Sequence, residues 1–146
     1  MQKIRIQKVN PQASLPVYAT PGAAGADICA CIEAGITVQP GETVFVPSGL
    51  AVEIPEGYAG LICARSGLAS KRGLAPANKV GVIDSDYRGE IIVALHNHGK
   101  TEQLIAPAER IAQLVVTPFL RADFAEVPSL SETERQSGGF GSTGRL

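Results

Sequence analysis

With 146 residues the chain has room for one domain with a sizeable core, and it needs no disulfide framework to hold it. Thirteen Lys and Arg against fourteen Asp and Glu leave a formal charge of -1, which excludes the electrostatic footprint of a duplex-binding or membrane-surface protein. The opening "MQKIRIQKVN" lacks the apolar core of a signal peptide and no apolar run approaches a membrane span, so the chain reads as cytoplasmic.

Ten prolines and sixteen glycines cut the sequence at short intervals. Ile4 and Ile6 alternate with polar residues and begin a series of short strands. Asp27 follows the Gly25-Ala26 pair near the start of another, either closing a turn or placing a carboxylate there. Pro40-Gly41, Pro47-Ser48-Gly49 and Pro55-Glu56-Gly57 read as turns around the β-branched runs Thr43 to Val46 and Tyr58 to Cys63. The only helix candidate covers a turn or two from Ser66 to about Arg72, with Ser66 as N-cap and Gly73 as stop. Lys79 to Ile83, then Glu90 to Leu95, read as a hairpin around Asp84-Ser85-Asp86 and Gly89, and Ile111 to Thr117 forms a further strand. Many short strands with turn signals predict an all-β sandwich or barrel. Periodicity ends after Pro128, dividing a core of residues 1–128 from an arm of residues 129–146.

Cys29, Cys31 and Cys63 are odd in number and fit reduced thiols; Cys29-x-Cys31 has no companion pair for a zinc site. His96 and His98 sit near a strand end, where they read as polar surface residues rather than metal ligands. The chain's end, "RQSGGFGSTGRL", matches Gly-x-Gly-x-x-Gly at Gly139, Gly141 and Gly144, yet no helix can follow within two residues, so it is no dinucleotide turn. Phe140 among the glycines, with Arg135, Ser142 and Thr143, suits a clamp over a base and its phosphates.

Four more stretches carry polar residues in otherwise regular β patterning. Arg65, Ser66 and Gly67 enter the helix candidate, as an anion site or simply as a helix start. Asp84 closes the apolar run Val80-Gly81-Val82-Ile83 and can accept a proton from water, with Tyr87 offering a flat face beside it. Asn78 has the paired donor and acceptor that pyrimidine discrimination requires. On pattern alone, Glu109 and Arg110 are a solvated strand end and Gln113 an edge residue.

Taken in order, "AGADICA", "ARSGLA", "GVIDSDYRGEI", "AERIAQ" and "GGFGSTG" resemble the five motifs of the trimeric deoxyuridine triphosphatases. Ala64 and Ala108 stand where many members have proline and glycine. The resemblance implies a jelly-roll-like β fold, a distorted barrel or sandwich, assembled as a homotrimer with sites at subunit interfaces. It implies hydrolysis of dUTP to dUMP and pyrophosphate with Mg²⁺ on the triphosphate, keeping uracil out of DNA and supplying dUMP for thymidylate synthesis.

By the same resemblance Asp84 activates the attacking water. Asn78, with the backbone of Gly81 and Ile83, holds uracil, and Tyr87 lies under the deoxyribose. Arg65, Ser66, Gly67 and Gln113 meet the phosphates, and Asp27 is associated with the metal's water shell. Arg135, Phe140, Gly141, Ser142 and Thr143 close over the nucleotide. Two rival readings share the pocket: a deoxycytidine triphosphate deaminase of the same fold, and a trimeric regulator that binds dUTP without cleaving it.

Overall fold

The computed structural model describes residues 3–138 and is mostly β with one short helix. The described elements are β1 (Arg5–Lys8), β2 (Val17–Tyr18), β3 (Ala26–Cys29), β4 (Ile36–Val38), β5 (Thr43–Glu53), β6 (Tyr58–Cys63), α1 (Ser66–Arg72), β7 (Leu74–Pro76), β8 (Val80–Ile83), β9 (Glu90–Asn97), β10 (Gln103–Ile105) and β11 (Arg110–Pro118). They form a four-stranded sheet in the order β1-β5-β9-β7, a five-stranded sheet β2-β3-β11-β6-β8 and the pair β10-β4, with every pairing antiparallel. None of the three closes into a barrel among the described residues.

Alternation decides which face is buried. Along β9, Ile91, Val93, Leu95 and Asn97 are buried while Ile92 is exposed, the period of two expected of a strand with one wet face. The inward residues of β9 meet Val46, Val52, Ile62, Leu74, Ile83, Ile111 and Leu114, so the sheets share a single core. Each such side chain, fully withdrawn from water, contributes about 1.5–3 kcal/mol. The polar member of that inward row is satisfied: Asn97 Nδ2 donates to the carbonyls of Val38 (3.0 Å) and Thr101 (2.8 Å), and its Oδ1 accepts from Gly99 N (2.9 Å). This amide ties β4 to the end of β9.

Three expectations need correction. First, β8 and β9 are not a hairpin. β8 pairs with β6 and β9 with β5 and β7, so the six residues from Asp84 to Gly89 carry the chain from one sheet to the other. Such a connection exceeds a tight two-residue turn and leaves side chains free to line a recess. Second, Pro47-Ser48-Gly49 does not end a strand. β5 continues through it as an irregularity, its register with β9 shifting between Pro47 and Ala51. Gly49 has φ +69°, and a Cβ there would sit 2.7 Å from Ala13 Cβ and 2.8 Å from Cys31 Sγ, so only glycine fits. Third, the N-cap of α1 is Arg65 rather than Ser66, with no side-chain cap bond. Gly73 does stop the helix, in the left-handed conformation at φ 68°.

Ala108 also adopts φ +58°, in the turn where Glu109 N donates to Ala106 O. The strands end at Pro118, and residues 119–137 are exposed throughout. No described helix is long and apolar enough to cross a membrane.

Candidate active site

The register of the five-stranded sheet explains how distant motif residues meet. Asp27 on β3 lies opposite Gln113 on β11, which lies opposite Cys63 on β6, so the three share one row on one face. Gln113 is therefore on a central strand, not an edge as its pattern alone suggested. Asp27 sits within β3 rather than in a turn. The chain leaves the sheet two residues after Cys63, and that exit delivers Arg65 back to the row.

Asp27 is the electrostatic centre of the row. Arg65 Nε donates to its Oδ1 at 2.7 Å and Arg110 Nη1 to its Oδ2 at 3.1 Å, with only 13% of the Asp27 side chain exposed. Two cations on one largely buried carboxylate leave a net positive surface facing the cleft. Gln113 Nε2 donates to the Ala64 carbonyl at 2.9 Å, fixing the strand end that leads to Arg65. Gly25 makes this possible, because a Cβ there would fall 2.2 Å from Gln113 Oε1. Ser66 and Gly67 are exposed at the mouth. Together these residues line an open cleft of about 850 Å³, which also takes in Lys71, Arg72 and Glu109. Burial, then the charge of Asp27, raises the Cys29 thiol above its ordinary pKa, against the opposing pull of Arg110 and Arg65.

A second, narrower recess of about 230 Å³ gathers Asn78, Gly81, Ile83, Asp84 and Tyr87. Its floor is Ile62, and Gly81 is opposite Ile62 in the β6–β8 ladder. An added Cβ at Gly81 would sit 3.3 Å from Asn78 Nδ2, so glycine gives that amide its place against the strand. The Asp84 to Gly89 connection is braced internally. Arg88 Nη1 donates to the carbonyls of Ser85 (2.6 Å) and Tyr87 (2.9 Å), Tyr87 N to Asp84 O (3.2 Å), and the Tyr87 hydroxyl to Glu90 O (3.1 Å). Asp84 is exposed at the rim, open to water.

Consecutive strand residues point to opposite faces. Ile62 lines the narrow recess and its neighbour Cys63 the wide cleft, so the two open on opposite faces of β6. The chain thus groups Asn78, Gly81, Ile83, Asp84 and Tyr87 in one place and Asp27, Arg65, Ser66, Gly67 and Gln113 in another. Arg135 is exposed and its Nε donates to Gly138 O at 2.8 Å. Phe140, Gly141, Ser142 and Thr143 lie outside the described residues.

The dUTPase family profile matches residues 11–144. The chain belongs to the dUTPase family. Among its relatives, the deoxyuridine 5'-triphosphate nucleotidohydrolase of Burkholderia cenocepacia is 52% identical over 132 residues, 90% of this chain and 89% of that one. The corresponding protein of a Janthinobacterium species is 47% identical over 148 residues, covering 99% of both. The Staphylococcus bacteriophage 80alpha dUTPase, solved with dUpNHpp, superposes with a TM-score of 0.85 at 28% identity, covering 99% of each chain. As a dUTPase, the chain departs from its own sequence pattern at two residues. Glu109 and Arg110, which read as a solvated strand end, are in fact engaged with Arg72 and Asp27. Their position in the "AERIAQ" stretch was the available signal; that Glu109 would find Arg72 at the end of α1, and Arg110 the largely buried Asp27 across the sheet, was not legible from spacing.

Proposed function

We propose that this chain is a magnesium-dependent dUTP diphosphatase that works as a homotrimer. The observation that carries the reading is the division of the motif residues into a narrow recess beside an exposed carboxylate and a wide cationic cleft. A triphosphate suits the second and a pyrimidine nucleoside the first. The recess, at about 230 Å³, is smaller than most small-molecule sites and would hold part of a nucleotide rather than all of it. Because the two openings face away from each other, the cleft of one subunit meets the recess of another in the working site.

Asp84 orients a water molecule and takes its proton as the water oxygen bonds to the α-phosphorus. The bond from that phosphorus to the bridging oxygen breaks and pyrophosphate leaves. Arg65, Ser66, Gly67 and Gln113 hold the phosphate oxygens, so that positioning and charge neutralisation supply most of the acceleration. Asn78 and the backbone of Gly81 and Ile83 pair with uracil and exclude the thymine methyl, while Tyr87 leaves no room for a 2′-hydroxyl. Arg135, Phe140, Gly141, Ser142 and Thr143 close over the bound nucleotide.

No group of three or more His, Cys, Asp or Glu side chains is placed to hold a metal among the described residues. The wide cleft does carry two carboxylates, Asp27 and Glu109, and that sparse set fits a magnesium carried by the triphosphate, since Mg²⁺ keeps several waters and takes few protein carboxylates. Asp27, reached through water, is the carboxylate nearest to that task. When bound, the ion neutralises charge on the leaving pyrophosphate. The product reading places the enzyme where dUTP is removed from the DNA precursor pool and dUMP is made available for thymidylate synthesis.

The test is pyrophosphate release with Mg²⁺ from dUTP, UTP, dTTP and dCTP, with Asp84→Asn alongside. Release from dUTP alone, lost by at least two orders of magnitude in the variant, is the expected result. Ammonia release from dCTP would replace the reading with a deaminase, and tight dUTP binding without turnover with a regulator.

A further inference from the structure

The helix that leads from Arg65 is poorly anchored for the task given to it. α1 has seven residues, about 10 Å of length, and buries only Leu68. Helices this short do not hold themselves, so orientation must come from tertiary contacts. Leu68 alone is a pivot. At the opposite end the backbone runs through Gly73, whose carbonyl accepts from His98 N at 2.8 Å, into β7, and there Arg72 spreads its guanidinium over three acceptors. Its Nε donates to Gln103 Oε1 at 2.9 Å, its Nη1 to Glu109 Oε1, and its Nη2 to the Leu104 carbonyl.

Glu109 is held in turn. Its Oε2 accepts from Ala106 N at 2.9 Å, and its own carbonyl accepts from Ala30 N at 2.8 Å. It stands immediately before Arg110, the residue that completes the pair of cations on Asp27. The Arg72–Glu109 contact therefore joins the far end of α1 to the start of β11, across the same cleft that Ser66 and Gly67 enter from the near end.

We infer that Arg72 and Glu109 are positioning residues for the triphosphate, acting through the tilt of α1 rather than by touching phosphate. The inference rests on the proposed dUTP-binding role of the cleft. Without the clamp α1 swings about Leu68, and its first turn, one end of a short lever, moves Ser66 and Gly67 out of register with Arg65. A displacement near 1 Å at a positioning group costs on the order of tenfold or more.

The two charges make the idea separable from direct binding. A phosphate-contacting Arg72 predicts that removing the nearby anion, Glu109→Gln, tightens the triphosphate. A positioning clamp predicts that Glu109→Gln weakens it, as Arg72→Gln does. We would measure Kd for dUpNHpp and for dUMP on the full-length protein carrying Arg72→Gln, Arg72→Lys, Glu109→Gln and the double change, with thermal melts. Expected are losses of about tenfold for dUpNHpp in both single variants, little change for dUMP, partial recovery in Arg72→Lys, and a double variant no worse than either single one. Tighter dUpNHpp binding by Glu109→Gln, parental dUpNHpp affinity in Arg72→Lys, or equal losses for dUMP and dUpNHpp with a lowered melt would each overturn the inference. Failure of the parent protein to bind dUpNHpp at all would instead remove the functional reading on which it stands.

Discussion

Replacing Gly89 by alanine should loosen sugar selection without unfolding the protein. Gly89 is not among the positive-φ glycines, so its backbone accepts alanine, but the space does not. The new Cβ would lie 2.3 Å from the Tyr87 hydroxyl oxygen and 2.5 Å from Cζ. Ordinary contact begins near 3.4 Å, so the ring must retreat by roughly 1 Å, giving up its 3.1 Å hydrogen bond to Glu90 O. Because Tyr87 is 46% exposed, the stability cost is that of one surface hydrogen bond, about 0.5–1.5 kcal/mol. The functional cost falls on selectivity, because the ring is proposed to fill the space of a 2′-hydroxyl. A loosening of about 1.4 kcal/mol against UTP would reduce the preference for dUTP tenfold. The assay is pyrophosphate release from dUTP and UTP as a ratio of kcat/KM, with Tyr87→Phe as the control that loses the hydrogen bond and keeps the ring. An unchanged ratio in Gly89→Ala would refute the role given to Tyr87; an equal change in Tyr87→Phe would assign it to the hydroxyl alone.

Three other outcomes are expected. Ala108→Gly should raise stability in urea by up to about 1 kcal/mol, since a left-handed L-residue costs about 1–2 kcal/mol and the added freedom of glycine in the unfolded chain returns about 0.4–1 of it; φ at Ala108 is +58°. Cys29 should alkylate more slowly than a free thiol at pH 8, because its raised pKa keeps it protonated, and Arg110→Gln, which removes a charge that lowers that pKa, should slow it further. Ending the chain after Ser137 should leave the melting transition in place while turnover falls strongly, and unchanged turnover would remove the closing role from Phe140 and its neighbours.

The strands that carry the site were legible where alternation and β-branching are strong: Tyr58 to Cys63 matches β6, and α1 with its Gly73 stop falls on the expected residues. What sequence spacing could not show was partnership. β2, β4, β7 and β10 have two or three residues each, too few for a period to appear. The run from Val80 to Ile91 has the composition of a hairpin, and only the competing pairing of β8 with β6 moves it to a sheet crossing. Ser48 and Gly49 carry turn chemistry that the fold spends on a strand irregularity, where Gly49 N donates to Glu90 Oε1 at 2.6 Å. Charges were read as surface because a lone Glu or Arg usually is; Arg110 and Glu109 find their partners 83 and 37 residues away.

The alternation of Ile62 and Cys63 has a consequence for genetics as well as geometry. If the base-holding recess and the phosphate cleft that cooperate belong to different copies, an Asp84→Asn chain and an Arg65→Gln chain damage different halves of each site. Each would be inactive alone, yet subunit exchange would pair the intact cleft of one with the intact recess of the other. Two inactive alleles carried together would then complement, and a partial inactivation of the pool would scale with how copies are mixed rather than with how many are broken.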